Sequence, residues 1–180
     1  SKGTADQYVI DYARIYSLKT TTFRQSCIYG PRQFGSKDQG WISWFIYAAL
    51  SNKKITIYGN GKQVRDILYV DDLIYAYDLA IKNPDKIKGE AFNVGGGVRH
   101  SISLIELIKM LSRIMKKDIP YRCATLRPGD QKIYISNTEK IYHHLGWTSK
   151  ISIETGIEST YKWTKENINH AQLEVDNHDR

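Results

Sequence analysis

The sequence predicts an α/β fold. Three observations carry this: helical and extended apolar patterns alternate along the 180 residues, glycine and proline clusters separate them, and capping signals mark several helix starts. Ala5, Tyr8, Val9, Tyr12, Ala13 and Tyr16 recur at helical spacing and predict an amphipathic helix over 2–16. Residues 19–24 carry three threonines and a phenylalanine, which favours a strand. Gly30, Pro31, Gly35 and Gly40 make 29–40 a loop, and Trp41, Trp44, Phe45 and Ala48 mark a second helix. A short strand over 54–58 ends in the turn Gly59-Asn60-Gly61. A strand over 63–70 follows, then a helix to about Ile81 with Asp71 or Asp72 as its N-cap. Asn83, Pro84 and Asp85 break that helix.

The strand predicted at 90–94 closes in Gly95-Gly96-Gly97. With no G-x-G-x-x-G run, these glycines read as a tight turn more readily than as a phosphate loop. Ser103 and Glu106 form a capping box ahead of Leu107, Ile108, Leu111 and Met115. Residues 120–124 and 131–135 look extended. Ser136 and Glu139 read as a second capping box, with Gly146 as the C-cap after Leu145. A last helix spans 152–167, and 169–180 reads as a flexible tail.

Composition narrows the function classes. With 41% hydrophobic residues the chain is rich enough for one core, and it has no apolar run of the roughly 18 residues that a membrane helix needs. Residues 2–7 are too polar for a secretory leader, so the expectation is a cytoplasmic protein. The +7 net charge comes from scattered lysines without a basic block, which argues against nucleic-acid or membrane partners. Cys27 and Cys123 form no C-x-x-C pair and read as two buried or half-buried thiols. The five histidines lack metal-ligand spacing, so no metal site is expected.

Three stretches could carry chemistry. In ITIYGNGKQVRDILYVDDL, Arg65 sits beside a glycine turn, where a guanidinium can fork onto a phosphate with Asp66 orienting it. A surface Arg–Asp pair worth about 0–1 kcal/mol is the competing reading. In LRPGDQKIY, Arg127 and Asp130 bracket a Pro-Gly turn and suit a diphosphate and a ribose; an ordinary turn with an ion pair is the alternative. In FRQSCIYGPRQFGSKDQGW, Tyr29, Arg32, Gln33, Gln39 and Trp41 offer stacking and hydrogen-bonding groups on a loop after a strand, where open α/β sheets bind ligands; a plain surface loop is the other reading.

In this order and spacing, SKG, YGPRQ, ITIYGNGKQVRD, AFNVGGG, RPGDQ and LGW closely resemble the extended short-chain dehydrogenase/reductase family that modifies nucleotide sugars. The resemblance runs from Ser1 to about Asn167. It implies the carboxy-terminal part of a Rossmann-type parallel sheet plus a smaller α/β substrate-binding lobe. Residues 1–25, 64–82 and 90–95 would belong to the sheet region, and 26–63 and 96–168 mainly to the substrate lobe. It also implies that Lys2 ends a Y-x-x-x-K motif whose tyrosine lies upstream with the glycine-rich NAD loop, so this chain alone would be an inactive fragment with uncovered apolar surface. The resemblance further implies NAD as cofactor, with Lys2 catalytic and contacting the nicotinamide ribose, and with Gln25 and Ser26 near the nicotinamide.

By the same resemblance the substrate is a nucleotide sugar. Gln39 and Trp41 would face it, Thr56 and Tyr58 would flank the base, Arg65 and Arg127 would clamp the diphosphate, Asp130 would hold the ribose, and Tyr134 would lie near the sugar. Cys27 stands where many members have asparagine. The run from Arg24 to Gly30, with YGPRQF and DQGW, looks most like the CDP-paratose (CDP-tyvelose) 2-epimerase branch, which inverts C2 by transient oxidation. Asn137 replaces a common aspartate and reads as a cap. Other 4-epimerases, 4,6-dehydratases and decarboxylases of the family, or a non-catalytic nucleotide-sugar-binding domain, are the alternatives. A homodimer or homotetramer is implied for the intact enzyme.

Overall fold

The computed structural model describes residues 1–169. Of the tail expected to be flexible, 170–180 lie outside the described residues. Helix α1 (Lys2–Tyr16) has the bounds the spacing predicts, but its packing face differs. Asp6, Val9, Ile10 and Ala13 are covered, whereas Tyr8, Tyr12 and Tyr16 form an exposed stripe. Neighbouring helix residues point about 100° apart, so the sequence pattern had merged two stripes into one.

Strand β1 (Thr22–Gln25) starts later than predicted. The hydroxyls of Thr20 and Thr21 donate instead to the carbonyls of Val9 and Glu90, at 3.0 and 2.8 Å, and tie the approach to the strand. A short strand absent from the sequence reading, β2 (Cys27–Tyr29), follows directly. Ser26 makes the transition: its N–H donates to the Val94 carbonyl at 3.0 Å, and its single hydroxyl hydrogen is shared between the carbonyl and the carboxylate of Asp66. The Trp-rich helix α2 (Trp41–Leu50) is almost wholly buried. Next come β3 (Ile55–Tyr58) and β4 (Val64–Tyr69), both close to the predicted spans.

Helix α3 (Val70–Lys82) continues β4 with Tyr69 at its N-cap, not Asp71 or Asp72. Both aspartates lie in the first turn, where the helix dipole favours them. Asp72 is buried because its carboxylate caps another segment, accepting the N–H groups of Lys150 and Ile151 at 3.0 Å each. Pro84 ends α3 and opens the four-residue α4 (Pro84–Ile87), the one helix position where its missing N–H costs nothing. After β5 (Ala91–Val94) and a 3-10 turn, β6 (Ser101–Ser103) leads into α5 (Leu104–Met115), with both arms of the Ser103–Glu106 capping box formed.

Strands β7 (Tyr121–Ala124) and β8 (Ile133–Tyr134) precede α6 (Glu139–Leu145), which ends at Gly146, and α7 (Ile153–Glu166), which is capped by Ser152. The capping box expected of Ser136 does not form. Ser136 is buried and its N–H donates to Asp66 Oδ2 at 3.2 Å; Asn137 Oδ1 instead accepts the Glu139 N–H at 2.9 Å.

β1 pairs with β5, β2 with β4, β8 with β4 and β3 with β7, all in parallel, while β6 runs antiparallel to β4. Two hydrophobic clusters result. The larger gathers α2, β3, α5 and Ile157. The smaller gathers Leu68, Leu73, Ala76, Phe92, Val94, Ile141 and Trp147. Strands β2 and β4 serve both, because successive strand residues face opposite sides: Ile67 and Tyr69 enter the larger cluster and Leu68 the smaller. Helix α6 and Trp147 join the smaller cluster with β1 and β5; both lie in the 96–168 span expected to belong mainly to the substrate lobe.

Gly95 and Gly96 are packing glycines. A Cβ would fall 2.3 Å from Asp66 Oδ2 at the first and 2.2 Å from the Ile67 carbonyl oxygen at the second. Both cysteines are free thiols; Cys27 is half-buried, but Cys123 is exposed, contrary to expectation. Among the described residues no helix is long and apolar enough to cross a membrane, and no group of three or more His, Cys, Asp or Glu could hold a metal.

Candidate functional site

Where β2, the start of α2, β3, β4 and the turn after β7 meet, they enclose a cavity of about 580 Å³. Small-molecule sites run to roughly 300–1,000 Å³. Gln39, Trp41, Thr56, Tyr58, Arg65, Arg127 and Asp130, seven of the residues singled out from sequence, line it together.

Arg65 projects from β4. Its Nη2 donates to Asp130 Oδ1 at 2.7 Å and its Nη1 to the Val64 carbonyl at 2.9 Å. Asp66 does not orient it, contrary to expectation. Asp66 is fully buried on the other side of the strand, where it accepts from the Ser26 hydroxyl and the N–H groups of Gly97 and Ser136. Arg127 pairs not with Asp130 but with Asp38, at 2.9 Å, and its guanidinium lies 3.9 Å from the Tyr58 ring centroid. Hydrogen bonding to Tyr58, reinforced by Asp38, raises the Arg127 pKa, so its charge is permanent.

Five cationic side chains, Lys37, Lys54, Arg65, Arg122 and Arg127, face two carboxylates, Asp38 and Asp130, around the cavity. Helix α2 adds its N-terminus, with Gly40 as N-cap and Trp41 in the wall. Backbone N–H groups at such an end favour anions. Cys27 contributes a thiol whose pKa burial pushes up, against a hydrogen bond with Trp41, so it stays neutral. The site therefore suits a ligand that carries both anionic and flat groups: guanidinium groups for phosphates, and Tyr58 and Trp41 for a ring.

The remaining predicted residues lie elsewhere. Tyr134 sits opposite Arg65 in the β4–β8 ladder, outside the cavity wall. Lys2 is exposed in the first turn of α1. Gln25 ends β1 and its amide donates to the Tyr77 hydroxyl. Ser26 has its hydroxyl proton committed to Asp66. Tyr29 is core rather than a ligand group, and Gln33 braces the loop by bonding the Ile28 carbonyl and Ser43. Lys37, Asp38, Lys54, Gln63 and Arg122 line the cavity but were not singled out. Arg122 enters through the β3–β7 pairing, which stands it opposite Thr56, whose hydroxyl it reaches at 3.1 Å. A broader groove along α5 has three carboxylates, Glu106, Asp118 and Glu154, against Lys109 and Arg113, and so lacks the cationic excess.

The profile of the NAD dependent epimerase/dehydratase family matches residues 1–95. The chain belongs to this family. It is 44% identical over 91% of its length to CDP-paratose 2-epimerase of Salmonella typhi, covering 50% of that protein. It is 33% identical over 98% of its length to a dTDP-glucose 4,6-dehydratase of Escherichia coli, again covering 50%. Among solved structures, UDP-glucose 4-epimerase of Thermotoga maritima with UDP-glucose superposes with a TM-score of 0.82 at 32% identity, over 93% of this chain and 52% of that one. The epimerase/dehydratase chain thus spans about half the length of the curated relatives it matches. Its fold is the Rossmann-like α/β fold of these epimerases.

Proposed function

We propose that the protein, at full length, is an NAD-dependent nucleotide-sugar epimerase that inverts C2 of a CDP-hexose, as in the conversion of CDP-paratose to CDP-tyvelose. One observation carries the nucleotide-sugar reading: Arg65 and Arg127, far apart in sequence, line the same cavity beside Tyr58, Thr56 and Asp130. The 44% identity to a CDP-paratose 2-epimerase favours C2 over other positions.

In this reading Arg65 and Arg127 grip the diphosphate. Asp130 holds the ribose, and Thr56 and Tyr58 flank the base. The nucleotide is a handle: its binding energy keeps the oxidised sugar in place while the sugar turns its other face. NAD, when bound, takes up a hydride and returns it. The residues that would hold it fit the fold. Gln25 stands at the carboxyl end of β1, level with Val94 of β5, the sheet edge where ligands bind in parallel α/β folds. Lys2 is exposed and supplies an ammonium for a ribose and for lowering the pKa of a tyrosine base. Ser26 offers a lone pair, its proton being held by Asp66.

The test is to incubate the full-length protein with CDP-paratose and NAD and to follow the C2 configuration by NMR. Inversion supports the proposal. Retention after long incubation rejects it, and a 4-keto-6-deoxy product would assign a dehydratase instead.

A further inference from the structure

We infer that Gln63 is a positioning residue for this cavity, one amide that sets the spacing between the two arginine-bearing walls. The inference rests on the nucleotide-sugar reading above. Gln63 is 6% exposed, between the glycine turn and β4. Its Nε2 donates to the Tyr58 carbonyl and, at 3.4 Å, to Asp130 Oδ2. The other oxygen of that carboxylate accepts from Arg65 at 2.7 Å. Tyr58, at the other end, lies against Arg127. Both guanidinium groups are therefore referenced to the same side chain, each through the residue that touches it.

Two further observations support the assignment. The turn is built around the amide: a Cβ on Gly59, where φ is +92°, would stand 2.8 Å from Gln63 Nε2. Gln63 Oε1 is buried with no partner. An orphan acceptor costs stability, and an apolar side chain of similar size would avoid that cost. The two bonds from Nε2 are what the amide supplies in return.

The same geometry sets the role of Asp130. With one oxygen turned to Gln63 and the other to Arg65, the carboxylate is fixed before any ligand arrives. A preorganised site spends less of its binding energy on ordering side chains.

The test measures binding of CDP, UDP and dTDP to the full-length protein by calorimetry, at mildly acid and mildly alkaline pH, always relative to wild type at the same pH. In Gln63→Glu the introduced carboxyl, buried beside Asp130, titrates above its ordinary value of about 4.3. When protonated it is neutral and can still donate; when ionised it repels both Asp130 and the Tyr58 carbonyl. The expected loss for the tightest nucleotide is about tenfold at alkaline pH, recovering to within about threefold at acid pH. Gln63→Asn is a methylene shorter and uncharged, and should lose about tenfold at both. Because the ionised carboxylate also repels an anionic nucleotide directly, the uncharged Gln63→Asn separates loss of positioning from that repulsion. A Gln63→Glu ratio that does not change with pH, or a Gln63→Asn loss below about threefold, overturns the inference. If Gln63→Glu unfolds at alkaline pH, the Gln63→Asn ratio alone decides. Wild type binding none of the three nucleotides sinks the nucleotide-sugar reading and this inference with it. Wild-type binding with unaffected variants sinks this inference alone.

Discussion

The two sides of β4 do different work. Arg65, 17% exposed at its side chain, turns into the cavity beside Asp130. Asp66, the next residue, is fully buried and gathers the hydroxyl of Ser26 and the N–H groups of Gly97 and Ser136. In sequence the two read as an ion pair. In a strand they cannot be one, because consecutive side chains leave the sheet on opposite faces. The difference shows how one strand serves two purposes: one face lines the candidate cavity, while the other ties Ser26, Gly97 and Ser136 together through Asp66.

That division can be broken from either side. Asp66→Ala should have the largest effect, about 3 kcal/mol of folding stability, since the Gly97 and Ser136 N–H groups lose their acceptor in a largely buried setting and Ser26 keeps only the backbone carbonyl of residue 66. Urea unfolding measures it, and a loss under about 1 kcal/mol would deny the interior face its anchor. Arg65→Ala should leave stability within about 1 kcal/mol but weaken nucleotide-sugar binding by about 1.5–3 kcal/mol, read by calorimetry. Equal affinity would remove Arg65 from the site.

Ser103→Ala probes the edge of β4, where Ser103 lies opposite Val64, and should cost about 1 kcal/mol through the lost cap. This effect depends on pH. Hydrogen bonds from Ser103 hold the Glu106 carboxyl below its usual range. A depressed folded-state pKa stabilises above the unfolded value of about 4.3, and the contribution is lost as pH falls through the folded value. The gap between wild type and variant should therefore be full near neutrality and narrow in acid to the part contributed by the Glu106 N–H to Ser103 Oγ bond, which paired thermal melts across that range check. The smallest effect belongs to Tyr58→Leu: about 0.5–1 kcal/mol of affinity, from the ring under Arg127. If this loss exceeds that of Arg65→Ala, the exposed wall, not β4, dominates binding.

Much of this was legible in sequence where a local rule decides. The Ser103–Glu106 box, Gly146 as a cap and the spans of α1, α2, β3 and β4 follow from short-range patterns. The glycine turn marked the neighbourhood of Arg65. What failed needed knowledge of long-range partners. β2 is three residues long and exists because β4 lies alongside it. Ser136 has a cap's sequence context, yet Asp66, 70 residues away, claims its N–H. Asp72 looked like an N-cap but is taken by Lys150 and Ile151. Asp38 and Arg122 entered the cavity through pairings with Arg127 and Thr56 that no local spacing encodes.

The way Ile67, Leu68 and Tyr69 alternate between clusters has a thermodynamic consequence. Neither cluster can lose its order without withdrawing the strand that also supports its neighbour. Denaturation should therefore be a single cooperative transition, with variants that keep only Trp44 in one cluster or only Trp147 in the other reporting the same fluorescence midpoint.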